Sequence, residues 1–96
     1  MFMFVTVIHR INDPDQFESS AQSATPNIPS HLKLHQYLTG ADRKTATCLW
    51  EAPSVEEIKK YLEPVSGQFS RNEYVQLNTE GSFGLPAGTT TSAARN

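Results

Sequence analysis

Ser54-Val55-Glu56-Glu57 and its counterpart Asp13-Pro14-Asp15-Gln16 decide the fold, because each stretch marks the start of a helix. Each places an oxygen-bearing side chain three residues before a Gln or Glu. In that spacing the side chains can satisfy backbone groups that the first helical turn leaves unbonded. Pro14 also suits the first helical position, where its missing N–H is not needed. The chain is therefore predicted to contain two helices.

Four runs around these helix starts are predicted strands, because they are rich in β-branched and aromatic residues or alternate in polarity. They cover residues 4–11, 32–38, 45–52 and 74–77. Pro64 is expected to end or kink the second helix, and Gly67 to stop it. The order strand–helix–strand–strand–helix–strand predicts an α+β fold, a ferredoxin-like split β-α-β sandwich. Its four-stranded antiparallel sheet would carry both helices on one face, so the other face needs a partner or a ligand.

The composition limits the classes of function. A chain of 96 residues has room for one domain with one modest core, which we expect to cover residues 1–78. The net charge of -2 and the dispersed Lys and Arg residues argue against nucleic acid as a partner. The single cysteine is compatible with a reducing cytoplasm. The apolar start Met1-Phe2-Met3-Phe4-Val5 lacks a positively charged stretch, so we expect a strand there, not a signal peptide or a membrane span.

The end of the chain differs in composition. Residues 79–96 are rich in Gly, Thr, Ser and Ala, and disorder is predicted after about Gly88 because little there can be buried. Phe83-Gly84-Leu85-Pro86 is an apolar cluster within this tail. We expect it to dock on a second subunit; the alternative is a hydrophobic remnant on a loose end.

A histidine and the cysteine are predicted to meet across two strands. If residues 40–43 form the turn, His35 lies opposite Cys48 on one sheet face, with Cβ atoms about 4.5–5.5 Å apart. A register slip of one residue would separate them. Imidazole and thiolate could bind nickel, zinc or copper with His9 as a third ligand, or the pair could form an activated thiol. The alternative is that both residues serve only packing.

Other side chains are candidates for binding a small ligand. Together with His35 they are Tyr37, Trp50, Glu51 and Tyr74. The aromatic rings could line an apolar pocket, although aromatic residues in strands mostly belong to the core. Glu51 and Glu73 could bind metal or move protons if they meet; the alternative is that they are solvated or bridged to arginine.

Three segments carry a resemblance to a known family. Val7-Ile8-His9-Arg10, Leu34-His35-Gln36-Tyr37-Leu38 and Thr47-Cys48-Leu49-Trp50-Glu51-Ala52-Pro53-Ser54 resemble the nickel-binding ferredoxin-like family of the dimeric α/β-barrel superfamily. The resemblance covers roughly residues 4–78. It implies a homodimer whose sheets face each other in a dimeric α/β barrel, and a divalent transition metal such as nickel as the bound group. The ligand-site residues that it implies are His9, His35, Tyr37, Cys48 and Glu51.

These observations predict a small homodimeric protein that binds a divalent transition metal or a small ligand in a cavity on the open sheet face. The alternative, which the resemblance permits, is a cofactor-independent monooxygenase or isomerase acting on a small apolar substrate. In that enzyme His35 would act as acid or base, and Tyr37 and Trp50 would shape the pocket. A third interpretation is a structural dimer without a site.

Overall fold

The computed structural model describes residues 2–86, which form a four-stranded sheet and two helices. The strands are β1 (Met3–Ile11), β2 (Lys33–Thr39), β3 (Thr45–Ala52) and β4 (Ser70–Gln76), and the helices are α1 (Pro14–Ala24) and α2 (Val55–Ser66). The strand order is β2-β3-β1-β4, and every neighbouring pair is antiparallel. The predicted α+β class and antiparallel sheet are confirmed, and this arrangement is compatible with a ferredoxin-like fold.

Both helices begin at the predicted residues. The Asp13 side chain accepts a hydrogen bond from the backbone N–H of Gln16, and the Ser54 hydroxyl accepts one from Glu57, each at 3.2 Å. Pro64 does not end α2, which continues to Ser66 and is capped by Gly67. A Cβ at position 67 would lie only 2.6 Å from the carbonyl oxygen of residue 63, so the close approach of the backbone favours glycine.

Strand β4 begins four residues earlier than predicted, at Ser70 and not at Tyr74. Its first residues are polar because β4 is an edge strand, and an apolar pattern therefore does not reveal it. Asn72 points toward α2, where its side-chain amide donates to the Ser66 hydroxyl at 3.3 Å. The prediction of disorder after about Gly88 concerns residues outside the described range.

The two sides of the sheet have different roles. We call the side that carries Val5, Val7 and Cys48 the helix face, because these residues pack against Ile58 and Leu62 of α2. Complete burial of such an aliphatic side chain contributes about 1.5–3 kcal/mol, so this layer is the main source of stability. We call the other side the open face.

The open face carries both buried and exposed side chains. Phe4 and Glu51 are buried there, whereas Leu38 and Val75 are among the most exposed large hydrophobic residues of the described chain. Within residues 2–86, no helix is long and apolar enough to cross a membrane.

Candidate ligand site between the sheet and the helices

Strands β2 and β3 pair in a register that differs from the predicted one. Tyr37 lies opposite Cys48, and Leu34 lies opposite Trp50. The predicted pairing of His35 with Cys48 is therefore wrong, for two reasons. The β2–β3 turn encloses residues 41–44 and not 40–43, because Gly40 N–H donates to the Thr45 carbonyl at 2.7 Å; this displacement shifts the pairing by two residues and keeps Tyr37 on the helix face. A β-bulge between Leu34 and Gln36 then places His35 on the open face.

His35 forms a pair with Glu51 on the open face. The distance from His35 Nε2 to Glu51 Oε1 is 3.0 Å, and the side chains are only 10% and 2% exposed. The imidazole ring also lies 5.6 Å, centroid to centroid, from the ring of Phe4. Two of the predicted ligand-site residues therefore meet each other, but they lie on the opposite side of the sheet from Tyr37, Cys48 and Trp50.

The imidazole that meets Cys48 belongs to His9. Its Nε2 atom lies 3.2 Å from Cys48 Sγ on the helix face, where both residues are buried. The two residues are diagonal neighbours on adjacent strands, because Val7 is the residue directly opposite Cys48. Burial lowers the pKa of His9, which keeps its imidazole neutral near pH 7.

A hydrogen-bond network on β4 determines which nitrogen of His9 carries the proton. Asn72 donates through its amide nitrogen to Glu63 Oε2 at 3.1 Å, so its amide oxygen faces His9 Nδ1 at 2.7 Å. The Ser70 hydroxyl donates to the same oxygen at 2.6 Å. His9 Nδ1 must therefore carry the proton, and Nε2 accepts the S–H of Cys48.

Sequence reasoning did not identify Asn72 as part of the site. Its position opposite His9 depends on the first half of β4, which carries no apolar pattern. The alternating spacing of Ser70, Asn72 and Tyr74 along one strand face is the only signal that could have found it.

The local environment keeps Cys48 protonated. Burial raises the pKa of its thiol to about 12, and the contact with the Trp50 indole acts in the opposite direction without offsetting it. A reactive cysteine needs a lowered pKa, usually from a cationic neighbour or a helix N-terminus. The neutral His9 supplies no such charge, so this arrangement favours a thiol over the activated thiolate.

A cavity of about 50 Å³ lies beside this pair, between the helix face and the two helices. Its wall combines aromatic rings, small or aliphatic side chains of α1 and α2, and the His9–Cys48 pair; the aromatic residues are Phe17, Tyr37, Trp50 and Tyr61. Phe17 meets His9 edge to face at 5.1 Å, and Trp50 meets Tyr61 in the same way at 6.1 Å. The lining is mainly apolar, as is usual for small-molecule sites.

One buried polar atom of a residue that lines this cavity, the indole nitrogen of Trp50, has no hydrogen-bond partner of good geometry within residues 2–86. The indole N–H is buried, and its one polar contact within the described part of the chain is with the Cys48 sulfur, which lowers the pKa of the thiol. Sulfur is a weak acceptor, so this contact does not replace a hydrogen bond to oxygen. A buried donor without an acceptor calls for an explanation.

The structure distributes the predicted site residues over three places. Tyr37 and Trp50 line the cavity together with His9 and Cys48, whereas His35 and Glu51 lie on the open face. Tyr74 does not line the cavity; its hydroxyl donates to Glu63 Oε2 at 2.6 Å. Burial and, to a lesser degree, this hydrogen bond raise the pKa of Tyr74. Phe17 and Tyr61 were not predicted as site residues, because only packing of the helices on the sheet brings them there.

The three predicted metal ligands do not converge. His9 and Cys48 offer two donor atoms side by side, but His35 lies on the other face of the sheet. Within residues 2–86, no group of three or more His, Cys, Asp and Glu residues is arranged to hold a metal ion. The residues present therefore do not fit a complete protein-ligated metal centre, which needs three or four ligands.

Comparison of the chain with models of known families, with curated proteins and with solved structures finds no match in any of the three.

Proposed function

We propose that this protein binds a small, mainly apolar molecule with a hydrogen-bond acceptor in the cavity between the sheet and the helices. The observation that carries this proposal is the buried Trp50 N–H, which has no oxygen or nitrogen acceptor among residues 2–86 and belongs to a residue that lines the cavity. Leaving a buried donor unpaired costs about 1–3 kcal/mol. A ligand oxygen beside the indole would recover part of that free energy.

The polar atoms of the wall favour an acceptor over a donor. The indole N–H can only donate, and the lone pair of His9 Nε2 already accepts from Cys48. Tyr61 donates its hydroxyl proton to the carbonyl oxygen of Ala24 at 3.0 Å. A ketone, aldehyde or ether oxygen on an apolar body matches this set of groups.

The size of the cavity limits the ligand. Its volume of about 50 Å³ is roughly a third of the 150 Å³ apolar cavity that takes up benzene. Anything larger than a few non-hydrogen atoms therefore requires one wall to move. α1 is the wall best suited to move, because Phe17 is its one buried residue.

Nuclear magnetic resonance tests the proposal directly. Trp50 is the only tryptophan in the sequence, so a ¹H–¹⁵N spectrum contains one indole resonance, from the proposed donor. Titration with cyclopentanone should move this resonance downfield, as expected for a new hydrogen bond. Cyclopentane, which has the same ring without the oxygen, should bind more weakly and cause no such shift.

Two variants of α1 serve as a matched pair for this titration. Ala21 lines the cavity, so Ala21→Leu should fill it and abolish the response to cyclopentanone. Gln22 is the next residue and is exposed, so Gln22→Leu should respond as the wild type does. An indole resonance that stays unmoved at millimolar cyclopentanone, or one that moves equally in both variants, would rule out this site.

Binding of a divalent transition metal is the second candidate, favoured by the 3.2 Å separation of His9 Nε2 and Cys48 Sγ. The sulfur would have to lose a proton that burial retains, so affinity should rise with pH. Titration with Co²⁺ should then produce a sulfur-to-metal absorption band that Cys48→Ala abolishes. His35→Ala, on the open face, should leave the band unchanged. A wild-type protein without the band rejects this candidate.

An enzyme that moves a proton is the third candidate, favoured by the orientation of His9. Asn72 holds the ring with Nε2 unprotonated, which is the form that a general base requires once the Cys48 S–H turns away from this nitrogen. Exchange of the α-hydrogens of bound cyclopentanone with deuterium from D₂O would detect this activity without any oxidant. His9→Gln should abolish the exchange, and His35→Gln should preserve it. Equal exchange rates with and without protein would reject it.

We also propose that two copies associate through their open faces. Leu38 is 58% exposed there and Val75 37% exposed, at opposite edges of the sheet. Covering apolar surface contributes about 25 cal/mol per Å², which favours association. Sedimentation velocity over a range of concentrations should reveal a dimer of the 10.7 kDa chain. A monomer at every concentration would refute the association.

A further inference from the structure

Phe83 projects fully into solvent. It is the most exposed of the large hydrophobic side chains in the described range. The next residue, Gly84, has a positive φ of 92°, and a Cβ built there would have no atom within 4 Å. We call residues 82–86 the arm; Phe83 and Gly84 project from it into solvent, whereas Ser82, Leu85 and Pro86 are partly covered. Exposure of the Phe83 side chain forgoes the free energy of about 1.5–3 kcal/mol that its burial would contribute.

The proposed dimer needs more contact area than the open face supplies. Four strands of about seven residues cover about 23 Å by 19 Å, or roughly 440 Å² in projection. Stable dimers bury about 800 Å² on each partner. A buried aromatic side chain adds about 150–250 Å². The exposed Phe83 could therefore provide a substantial part of the missing area.

The position of the arm determines where it can reach a second copy. β4 forms one edge of the sheet, and Leu77, just after it, donates its backbone N–H to the Phe4 carbonyl at one end of β1. The short 3₁₀ helix Thr79–Gly81 then leads to the arm. Leu38 lies on the opposite edge strand, β2, near the other end of the sheet. The arm and Leu38 are thus at diagonally opposite corners.

This placement suits two sheets that face each other with their strands crossed. Face-to-face sheets pack either nearly aligned or at about 90°. In a crossed pair, the two-fold axis runs between the sheets, along the diagonal that joins the two corners without the arm or Leu38. Rotation about this axis places the arm of one copy on the Leu38 corner of its partner. The same rotation brings the second arm onto the first copy. Phe83 lies seven positions after Gln76. Thr79–Gly81 form a short 3₁₀ helix, so this length of chain spans up to about 20 Å, which still exceeds the ~10 Å between packed sheets.

We infer that Phe83 of each copy packs against Leu38 of the partner subunit, so that the two arms complete the dimer interface. This inference rests on the proposed association through the open faces, and it adds a specific contact to it. The occupant of the Leu38 corner is thus a second copy of this chain.

Sedimentation equilibrium of single variants tests the arm. Phe83→Asp should raise the dimer dissociation constant by about 100-fold or more, because two aromatic anchors are lost per dimer. Its thermal unfolding as a monomer should match the wild type, since Phe83 is fully exposed within its own chain. Leu38→Asp should weaken the dimer similarly, whereas Thr39→Asp, on the other face of β2, should not. A Phe83→Asp protein that dimerises as tightly as the wild type would overturn the arm contact while preserving the dimer.

Cross-linking tests the partner of Phe83. In a Cys48→Ala background, Phe83→Cys combined with Leu38→Cys should form dimers held by disulfides on a non-reducing gel. The two positions lie at opposite corners of one chain, so a bond within one chain is too far to form. Phe83→Cys combined with Thr39→Cys is the control and should stay monomeric on the gel. Equal cross-linking of both pairs would overturn the Leu38 assignment, and a wild type that never dimerises would remove the proposed association itself.

Discussion

His9 Nε2 lies 3.2 Å from Cys48 Sγ, although 39 positions separate the two residues in the chain. Antiparallel pairing of β1 with β3 creates this contact, and the packing of α1 and α2 removes it from water. Desolvation acts on both groups in the same sense, toward the neutral form. A neutral thiol–imidazole pair in an apolar wall is therefore the central chemical feature of this protein.

The thiol of Cys48 should react slowly. A rise in its pKa from 9.0 to about 12 lowers the thiolate fraction at pH 8 by about 1,000-fold, and only the thiolate attacks disulfides. We expect 5,5′-dithiobis(2-nitrobenzoate) to label the folded protein at least that much more slowly than the protein unfolded in guanidinium chloride. Similar labelling rates in the two states would contradict the protonated, buried thiol.

The folded protein should lose stability in mild acid through His9. Its pKa is lowered by burial from an ordinary value of 6.5, so below that pH the unfolded chain binds the proton more readily. The stabilisation is complete above pH 6.5 and declines as the pH falls toward the lowered pKa, by at most about 1.4 kcal/mol per pH unit.

Urea unfolding at pH 7.5 and pH 5 measures this effect. His9→Gln should be less stable than the wild type at pH 7.5, but the difference should shrink at pH 5 because glutamine does not titrate. His31→Gln, which changes a surface side chain, is the control and should follow the wild type. If the difference in free energy of unfolding between His9→Gln and the wild type is the same at both pH values, protonation of His9 does not cause the loss of stability between pH 7.5 and pH 5.

Two histidine–glutamate pairs of nearly equal length should differ in their contribution to stability. His35–Glu51 is 3.0 Å long and almost fully buried, whereas His31–Glu57 is 3.1 Å long with side chains 46% and 36% exposed. His35→Ala should lower the free energy of unfolding by about 1–3 kcal/mol, because it removes a hydrogen bond to the buried Glu51 carboxyl group. His31→Ala should cost less than about 1 kcal/mol. Equal losses of unfolding free energy in urea for the two variants would mean that burial does not make the His35–Glu51 pair more stabilising than the His31–Glu57 pair.

The effect of an Arg43 substitution on thermal stability should depend on how readily the new residue adopts a positive φ. Arg43 has a φ of 65°, the one positive φ among the described non-glycine residues, and it donates to Asp15 and Glu18 of α1. Arg43→Ala and Arg43→Gly both lose these ion pairs, but only glycine adopts positive φ freely. We therefore expect Arg43→Gly to melt at a higher temperature than Arg43→Ala. The reverse order in a thermal melt would show that the positive φ carries no strain.

Local signals in the sequence determined the elements of the fold. The capping residues Asp13 and Ser54 mark both helix starts, and the bounds of β3 are as predicted. These features depend on neighbouring residues, whose hydrogen bonds and φ preferences act over one helical turn or one strand. The start of β4 escaped prediction because an edge strand with polar residues lacks the apolar pattern on which such predictions depend.

The composition of the site was decided only by tertiary structure. Tyr37 and Trp50 were predicted to shape a pocket on the open face, but the cavity that they line lies on the other side of the sheet, beneath the helices; the two-residue shift in register keeps both side chains on one face. His35 was separated from Cys48 by one β-bulge, and His9 took its place. Side chains along a strand point alternately to the two faces of the sheet, so one extra residue moves the side chains beyond it to the opposite face. The sequence by itself therefore determined which segments form helices and strands, and the long-range pairing of those segments decided which side chains meet.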